Sequence, residues 1–230
     1  MRVVGVDPGT KSFDVIGLED GGIKLDLTFP SEVVAEAPER IVKAIADFNA
    51  DLVIGPSGYG GVPLKHISEL TERDRFEMTL VREEELKEIP VLIGLQRMVS
   101  EMAERGGMNV WFIPGVIHLP TVPEWRKYNR VDMGGTADKM AITVLGIYDQ
   151  AKRLGIGYGG EVSFVLLEVG FGYNYAGGAV KGGKIVDGIG GTIFPGPAYV
   201  NGGARRGGGR LPDGKAQEVA PLLGGWGGPL

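Results

Sequence analysis

The sequence contains no cysteine and only two histidines, His66 and His118. A disulfide framework, a thiolate metal site and a histidine-rich metal site are therefore excluded. No window approaches the ~20 apolar residues of a transmembrane helix. The opening MRVVGVDPG reaches proline and glycine too early for a secretory signal. We therefore expect a cytoplasmic protein with no membrane partner.

Positive charge is also scarce. Lysine and arginine total 24 against 29 aspartates and glutamates, which gives a net charge of −5. The acidic residues are scattered along the chain, whereas binding to a nucleic-acid backbone needs a basic face. We therefore expect no nucleic-acid partner.

Apolar runs and turn signals predict an alternation of strands and helices along the 230 residues. The opening predicts a three-stranded antiparallel meander, with strands over 2–6, 12–18 and 23–29. Then follow a helix over 38–49, a buried strand over 52–54, a glycine loop over 55–61, a charged insertion over 65–90, a helix over 91–104, a strand over 109–113 and an irregular proline-rich stretch over 114–130. A long helix over 136–154 precedes three further strands, over 162–168, 173–180 and 184–187.

The last three strands repeat the first three. Glu168 lies 168 − 7 = 161 positions after Asp7, and Gly170 lies at the same offset from Gly9. At this offset the two glycine-glycine turns, 21–22 and 182–183, also coincide. A match without gaps over two strands, a loop and a turn favours the duplication of a lobe. Two ordinary hairpins that share turn glycines are the alternative.

Each repeat places a carboxylate at the end of a strand and a glycine turn after it. Glycine lets backbone N–H groups approach phosphate oxygens closely, and magnesium prefers oxygen ligands such as carboxylates. Two facing loops of this kind would grip a nucleotide's phosphates from both sides, which is what phosphoryl transfer needs. The predicted nucleotide-binding residues are Asp7, Gly9, Thr10, Lys11, Glu168, Gly170 and Gly172, with Asp7 and Glu168 as metal ligands.

Ordinary structural roles for these residues stay open. An aspartate before proline commonly ends a strand in a turn, and this would explain Asp7 without a ligand. Glu168 could face solvent, and the three glycines could serve their turns alone. Thr10 and Lys11 could be surface residues.

These stretches also carry a family resemblance. VGVDPGTKS, from Val4 to Ser12, resembles the first phosphate motif of the actin, sugar-kinase and heat-shock-protein superfamily, and FVLLEVGFG, from Phe164 to Gly172, resembles the second. The segment 170–190 resembles acetate and butyrate kinases, as do Arg126-Lys-Tyr128 and Gly135-Thr136. Residues 1–203 together are similar to an archaeal family of unknown function, described as predicted butyrate kinases.

The resemblance implies an α/β, actin-like (ribonuclease H-like) fold of two duplicated lobes with mixed sheets. The N-terminal lobe would cover 1–135, and the C-terminal lobe would begin over 136–200. We expect the glycine-rich tail, 201–230, to be disordered or aberrant. Only thirty residues follow Val200, too few for the rest of a second lobe. We therefore expect a truncated or frame-shifted product that binds nucleotide poorly.

The sequence departs from the acyl kinases it resembles at two positions. Those enzymes use an arginine beside the glycine loop, where this chain offers Ser57 and Tyr59, and a histidine that is missing from this Gly-Thr segment. Asp132 and Asp138 are the catalytic candidates, as bases for a hydroxyl acceptor or as metal ligands. Asp138 also falls in a first helical turn, where the helix dipole stabilises a carboxylate in any case.

The resemblance implies ATP and Mg²⁺ as cofactors and phosphoryl transfer to a carboxylate or hydroxyl acceptor. We therefore predict a small-molecule kinase whose partner is that acceptor, and leave a homodimer open. A non-catalytic nucleotide-binding switch or scaffold is the first alternative. A metal-dependent nuclease, with two Mg²⁺ ions on Asp7 and Glu168, is the second, and the acidic charge of the chain disfavours it.

Overall fold

The described part of the chain forms two β-sheets, and each contains a three-stranded antiparallel meander. A computed structural model describes residues 1–58, 61–79, 89–127, 134–157, 160–169 and 175–190. The first meander consists of β1 (Arg2–Pro8), β2 (Ser12–Glu19) and β3 (Gly22–Pro30). Asp20 and Gly21 join β2 to β3 with positive φ angles of 48° and 82°, as the tight turn of a hairpin requires.

Beyond the meander, the first sheet is mixed. β1 pairs in parallel with β4 (Leu52–Ile54), and β4 pairs in parallel with β6 (Val110–Phe112). Parallel neighbours need crossover connections, which are usually helical; here they contain α2 (Pro38–Asp47) and α4 (Pro90–Arg105). The short β5 (Lys65–His66) closes the edge antiparallel to β6. The prediction of a mixed α/β fold with a mixed sheet is confirmed.

Helices cover the first sheet and build the larger core. The pattern of α2 places Ile41 and Ile45 on one face, and both side chains are buried. The core cluster joins strand residues to residues of α2 and α4, among them Val4, Phe13, Val15, Ile41, Ile45, Leu95 and Met98. A further helix, α1 (Ser31–Glu36), was not predicted, because its six residues are too few to show a helical period.

The second sheet is smaller and lies against one long helix. It contains β7 (Phe164–Val169), β8 (Tyr175–Lys181) and β9 (Lys184–Ile189), in that order. The helix α5 (Ala137–Arg153) contributes Met140 and Ile147 to a second core cluster with Val180 and Ile185 of the sheet.

The remaining described elements are short. The charged insertion contains α3 (Glu72–Thr79), and the proline-rich stretch contains 3₁₀ turns at Val116–His118 and Glu124–Arg126. Within the described part of the chain, no helix has both the length and the apolar character needed to cross a membrane.

The two meanders share their irregularities of pairing. The register of β2 and β3 shifts between Gly17 and Leu18, and that of β8 and β9 shifts between Ala179 and Val180. A two-residue turn with positive φ angles follows in both, at 20–21 and at 182–183. Val180 and Leu18, the residues that follow the two register shifts, are 180 − 18 = 162 positions apart, whereas Glu168 and Asp7 are 161 positions apart.

The predicted alignment of the two meanders without gaps is therefore wrong by one residue for all positions after the loop that follows Asp7 and Glu168. Asp7 pairs with Asp14, seven positions later, and Glu168 pairs with Ala176, eight positions later. The second hairpin accommodates one more residue between its paired positions, and its later strands are shifted accordingly. Duplication of a lobe stays a prediction.

Corresponding residues of the two sheets differ in burial. Val4 and Val6 of β1 are 0% and 8% exposed, whereas Val165 and Leu167, at the 161-residue offset, are 77% and 59% exposed. β1 lies between β2 and β4 and contributes to a core with α2 and α4. In the part of the chain that the structure describes, β7 pairs with β8 alone. One face of β7 is therefore apolar and accessible to solvent.

The contact between α5 and β8 depends on a glycine. A Cβ atom on Gly178 would lie 2.5 Å from Thr143 Oγ1, whereas a Cβ atom on Gly5 would meet nothing within 4 Å. We expect Gly178→Ala to lower the free energy of unfolding by about 1–3 kcal/mol, as overpacking does. Urea denaturation measures this change. Gly5→Ala is the matched strand control, and equal effects of the two substitutions would contradict the prediction.

Candidate functional site

Acidic side chains gather where β1 and β7 end. Asp7 is the next-to-last residue of β1, and Glu168 holds the same place in β7. Asp14 stands directly opposite Asp7 across the β1–β2 ladder. Like charges in this arrangement destabilise a sheet, and Asp14 gains hydrogen bonds from Thr28 Oγ1 at 2.5 Å and Ser12 Oγ at 3.3 Å. These hydrogen bonds offset part of the repulsion between the two carboxylates.

The start of α5 adds a third carboxylate. Gly135 has a φ of 103°, which favours glycine, and its carbonyl accepts a hydrogen bond from Val116 N at 3.0 Å. Thr136 then occupies the N-cap position of α5. Its hydroxyl donates to Asp138 Oδ1, and Ser57 Oγ lies 3.5 Å from the same oxygen. Asp138 is therefore oriented by its own turn and by the loop after β4.

A buried ammonium group joins these acidic residues. Lys139 Nζ lies 2.7 Å from Asp138 Oδ2 and 2.9 and 3.0 Å from the two oxygens of Glu168. Burial alone would lower the pKa of Lys139, but attraction and hydrogen bonding by Asp138 and Glu168 outweigh it and raise that pKa. Lys139 is therefore charged at neutral pH, and it ties α5 to β7.

Sequence reasoning missed Lys139 as a site residue. A signal was present, because a lysine in the first turn of a helix opposes the helix dipole. Such a lysine needs compensation from nearby carboxylates, and Asp138 is its direct neighbour in the chain. The contribution of Glu168 depends on the packing of α5 beside β7.

The charge environment of Asp7 links the first sheet to this ion pair. Asp7 is exposed as a whole residue, yet loss of hydration around its carboxyl group is the largest cause that raises its pKa. The negative charge of Asp138 raises the pKa further, and those of Asp14 and Glu168 add to it, whereas Lys139 lowers it. The structure thus brings the predicted residues Asp7, Asp138 and Glu168 close enough for their charges to interact.

The loop after Asp7 is closed by its own hydrogen bonds. Gly9 N donates to Ser12 O at 2.7 Å, and a Cβ atom on Gly9 would lie 2.9 Å from that oxygen. The fully buried Ser31, which sequence reasoning also missed, donates its hydroxyl to Gly9 O and its amide to Lys11 O. The amide of Gly9 is thus engaged within the loop, while Thr10 and Lys11 are exposed.

Other residues of the resembling motifs have structural partners or lie outside the described residues. Arg126 Nε lies 2.8 Å from Asp187 Oδ1, and its Nη2 donates to Gly188 O at 3.0 Å, so that it ties its loop to β9. The predicted site residues outside the described part are Asp132, Gly170 and Gly172, and the tail 201–230 lies there as well.

A small crevice adjoins Asp138. It lies between the carboxyl ends of β4 and β6 and the first residue of α5, and it is lined by Gly55, Pro56, Ser57, Gly58, Gly61, Val62, Met78, Phe112, Ile113 and Ala137. It includes residues of the glycine loop over 55–61. Within the described ranges, no group of three or more His, Asp or Glu side chains is arranged to hold a metal ion by itself.

The fold is similar to that of two acetate kinases. The structure is similar to acetate kinase from Entamoeba histolytica, with a TM-score of 0.54 and 12% identity over 86% of this chain and 57% of that enzyme. It is also similar to acetate kinase from Porphyromonas gingivalis, with a TM-score of 0.52 and 14% identity over 82% of this chain and 57% of that enzyme. The chain thus spans a little over half the length of each enzyme.

The chain belongs to a family described as "protein of unknown function (DUF1464)", whose model matches residues 5–208. The match covers nearly the whole range, 1–203, over which the sequence resembles a family of unknown function. No curated protein matches the chain in sequence.

The raised pKa of Asp7 makes stability depend on pH in a defined direction. Because the folded state holds the proton of Asp7 more tightly than the unfolded state, the free energy of unfolding falls as pH rises from the unfolded pKa of 3.8 through the folded one. We therefore expect Asp7→Asn to melt at a higher temperature than the wild type at pH 7. The gain should vanish below pH 3.8, where both states carry the proton.

Thermal melts from pH 3 to pH 8 measure this difference. Asp26→Asn is the matched control, because Asp26 is an exposed aspartate on β3. An Asp7→Asn variant that is less stable than the wild type at pH 7 would contradict the prediction.

Proposed function

We propose that this chain is an ATP-dependent phosphotransferase that transfers a phosphoryl group from Mg-ATP to the carboxylate or hydroxyl of a small molecule. The observation that carries the proposal is the ion pair of Lys139 with Asp138 and Glu168, whose charges also act on Asp7 at the end of β1. The acetate-kinase-like fold supports it, since those enzymes are kinases by name. Butyrate-like acceptors and a duplicated pair of lobes remain parts of the proposal.

The loops after β1 and β7 would hold the phosphates. In the first loop, Gly9 shapes the turn, and Thr10 and Lys11 are exposed on its surface. We infer that these two residues donate hydrogen bonds to phosphate oxygens. Gly170 and Gly172 would let the backbone of the second loop approach from the other side.

The donor set fits a magnesium ion that arrives with its nucleotide. Magnesium keeps several waters and commonly uses only one or two carboxylates together with phosphate oxygens. Asp7 suits this role because burial and neighbouring negative charges raise its pKa, and a bound cation would relieve that repulsion. Glu168 offers suitable oxygens but shares them with Lys139. Bound Mg-ATP would supply the phosphoryl group and neutralise its charge during transfer.

Asp138 would orient the acceptor. Its Oδ1 accepts a hydrogen bond from Thr136, and the hydroxyl of Ser57 lies nearby, at the edge of the crevice after β4. A carboxylate held in this way can accept the proton of a hydroxyl acceptor as a general base. Asp132 is proposed as a second residue of this kind.

A non-catalytic nucleotide-binding switch or scaffold is the second candidate. The absence of the acyl-kinase arginine and histidine favours it, and so does the ion pair between Lys139 and Glu168, which leaves less negative charge for a metal. In this case the chain would bind Mg-ATP without transferring its phosphoryl group.

Calorimetry with Mg-ATP and a phosphotransfer assay with a panel of carboxylic acids and sugars test the proposal. We expect ATP binding weaker than micromolar and measurable transfer to at least one acceptor. Asp7→Asn should reduce the transfer rate by about 10²–10³-fold, as loss of a group that stabilises the transition state does. Asp26→Asn, on the exposed face of β3, should leave the rate unchanged.

The outcomes separate the two candidates. Binding without transfer to any acceptor would favour the switch or scaffold. Neither binding nor transfer would refute both, and micromolar affinity would refute the expectation of weak binding. Equal transfer by wild type and Asp7→Asn would remove Asp7 from the site.

A further inference from the structure

We propose that Lys139 is a built-in counter-ion that competes with a divalent cation for Glu168 and thereby sets the metal affinity of the site. The inference rests on the proposed function in one respect, namely that Glu168 lies at a site for a metal-bound nucleotide. It adds a regulatory residue that neither the phosphate motifs nor the family resemblance assigns.

The contact geometry places Lys139 in competition with a metal ion at Glu168. The ammonium group lies 3.0 and 2.9 Å from the two carboxylate oxygens and 2.7 Å from Asp138 on its other side. A divalent ion that bound directly to Glu168 would sit against this ammonium, and the two positive charges would repel each other. Direct coordination therefore requires Lys139 to move or weakens the binding of the ion.

The surroundings of Lys139 hold its charge in place. The residue is only 9% exposed, and its carbonyl accepts a hydrogen bond from Thr143 Oγ1 at 2.7 Å within α5. Neither its burial nor its position in the first turn of a helix favours a positive charge. The adjoining carboxylates supply the compensation, so that the lysine and the acidic residues depend on one another.

Asp7, which lies in the first sheet, is also affected by the positive charge of Lys139 and by the surrounding negative charges. Its neighbours include three negative groups, Asp14, Asp138 and Glu168, and one positive group, Lys139. Removal of the ammonium leaves these carboxylates with one more unit of uncompensated negative charge. A purely structural lysine would change stability alone, whereas a competing counter-ion would also change the affinity for a metal ion.

The test measures Mn²⁺ binding without nucleotide or acceptor, by calorimetry and by electron paramagnetic resonance of free Mn²⁺ at fixed ionic strength. We expect Lys139→Met to bind Mn²⁺ at least about tenfold more tightly than the wild type. Lys139→Arg keeps the positive charge and should resemble the wild type. The double variant Lys139→Met with Glu168→Gln should lose the gain.

Two further variants make the comparison decisive. Lys152→Met removes one positive charge from an exposed position near the other end of α5 and should leave Mn²⁺ affinity unchanged. Lys139→Gln keeps a hydrogen-bond donor without the charge, and it should show the gain even if Lys139→Met does not fold. Circular dichroism and thermal melts identify the folded variants.

The proposal is overturned if no neutral, folded variant at position 139 binds Mn²⁺ more tightly, or if Glu168→Gln does not abolish the gain. It is equally overturned if neither neutral variant folds while Lys139→Arg does, since the role of the lysine would then be structural. Because the assay contains no ATP, its result is independent of phosphotransfer. A chain without kinase activity can still show the gain in Mn²⁺ affinity, and an active kinase can fail to show it.

Discussion

The ion pair of Lys139 with Asp138 and Glu168 is the interaction on which the arrangement of the site depends. It connects the first turn of α5 to the end of β7, and it brings both carboxylates into the charge environment of Asp7. Without the ammonium, the acidic groups would repel one another. The positive charge of Lys139 therefore stabilises the acidic site, and a ligand that binds to Asp138 or Glu168 must compete with Lys139 for their oxygens.

The rest of the fold positions the charged side chains of the site. The first sheet carries Asp7 to the end of a central strand, and α1 fixes the following loop through Ser31. The close contact of Gly178 with Thr143 sets α5 against β8. The packing of the two hydrophobic cores thus sets the positions of Asp7, Asp138, Lys139 and Glu168, and these positions determine the pKa shifts of Asp7 and Lys139. Repulsion between Asp7 and Asp14 is offset in part by the hydrogen bonds that Asp14 accepts from Ser12 and Thr28.

Electrostatics also relates the two candidate functions. A phosphotransferase must neutralise the charge on a phosphoryl group, and the resembling kinases use arginine and histidine where this chain has neither. Here Lys139 is a buried positive charge beside the carboxylates, and its partners are acidic side chains. Whether its charge supports catalysis or only balances the site decides between an enzyme and a switch. The similarity to acetate kinases covers 57% of their length and concerns the fold.

Local patterns in the sequence determined most of the secondary structure. The strand over 52–54 was predicted with the bounds that the structure has, and the helix starting at Pro38 is confirmed. Turn glycines and alternating apolar residues specified both meanders, because a hairpin depends on residues close together in the chain. Asp7 and Glu168 were predicted from strand ends for the same reason, whereas Asp138 was predicted from the resemblance of the Gly-Thr segment.

Tertiary structure decided what local patterns cannot contain. The six residues of α1 show no period, and the extra residue in the second hairpin is visible only from strand pairing. Leu167 repeats the pattern of Val6 yet is exposed, because burial depends on which elements cover a strand. The sequence by itself determined which acidic residues end strands and begin a helix. Only the packing of α5 beside β7 decided that Lys139 lies between them, since an ion pair across distant segments is set by distances in space.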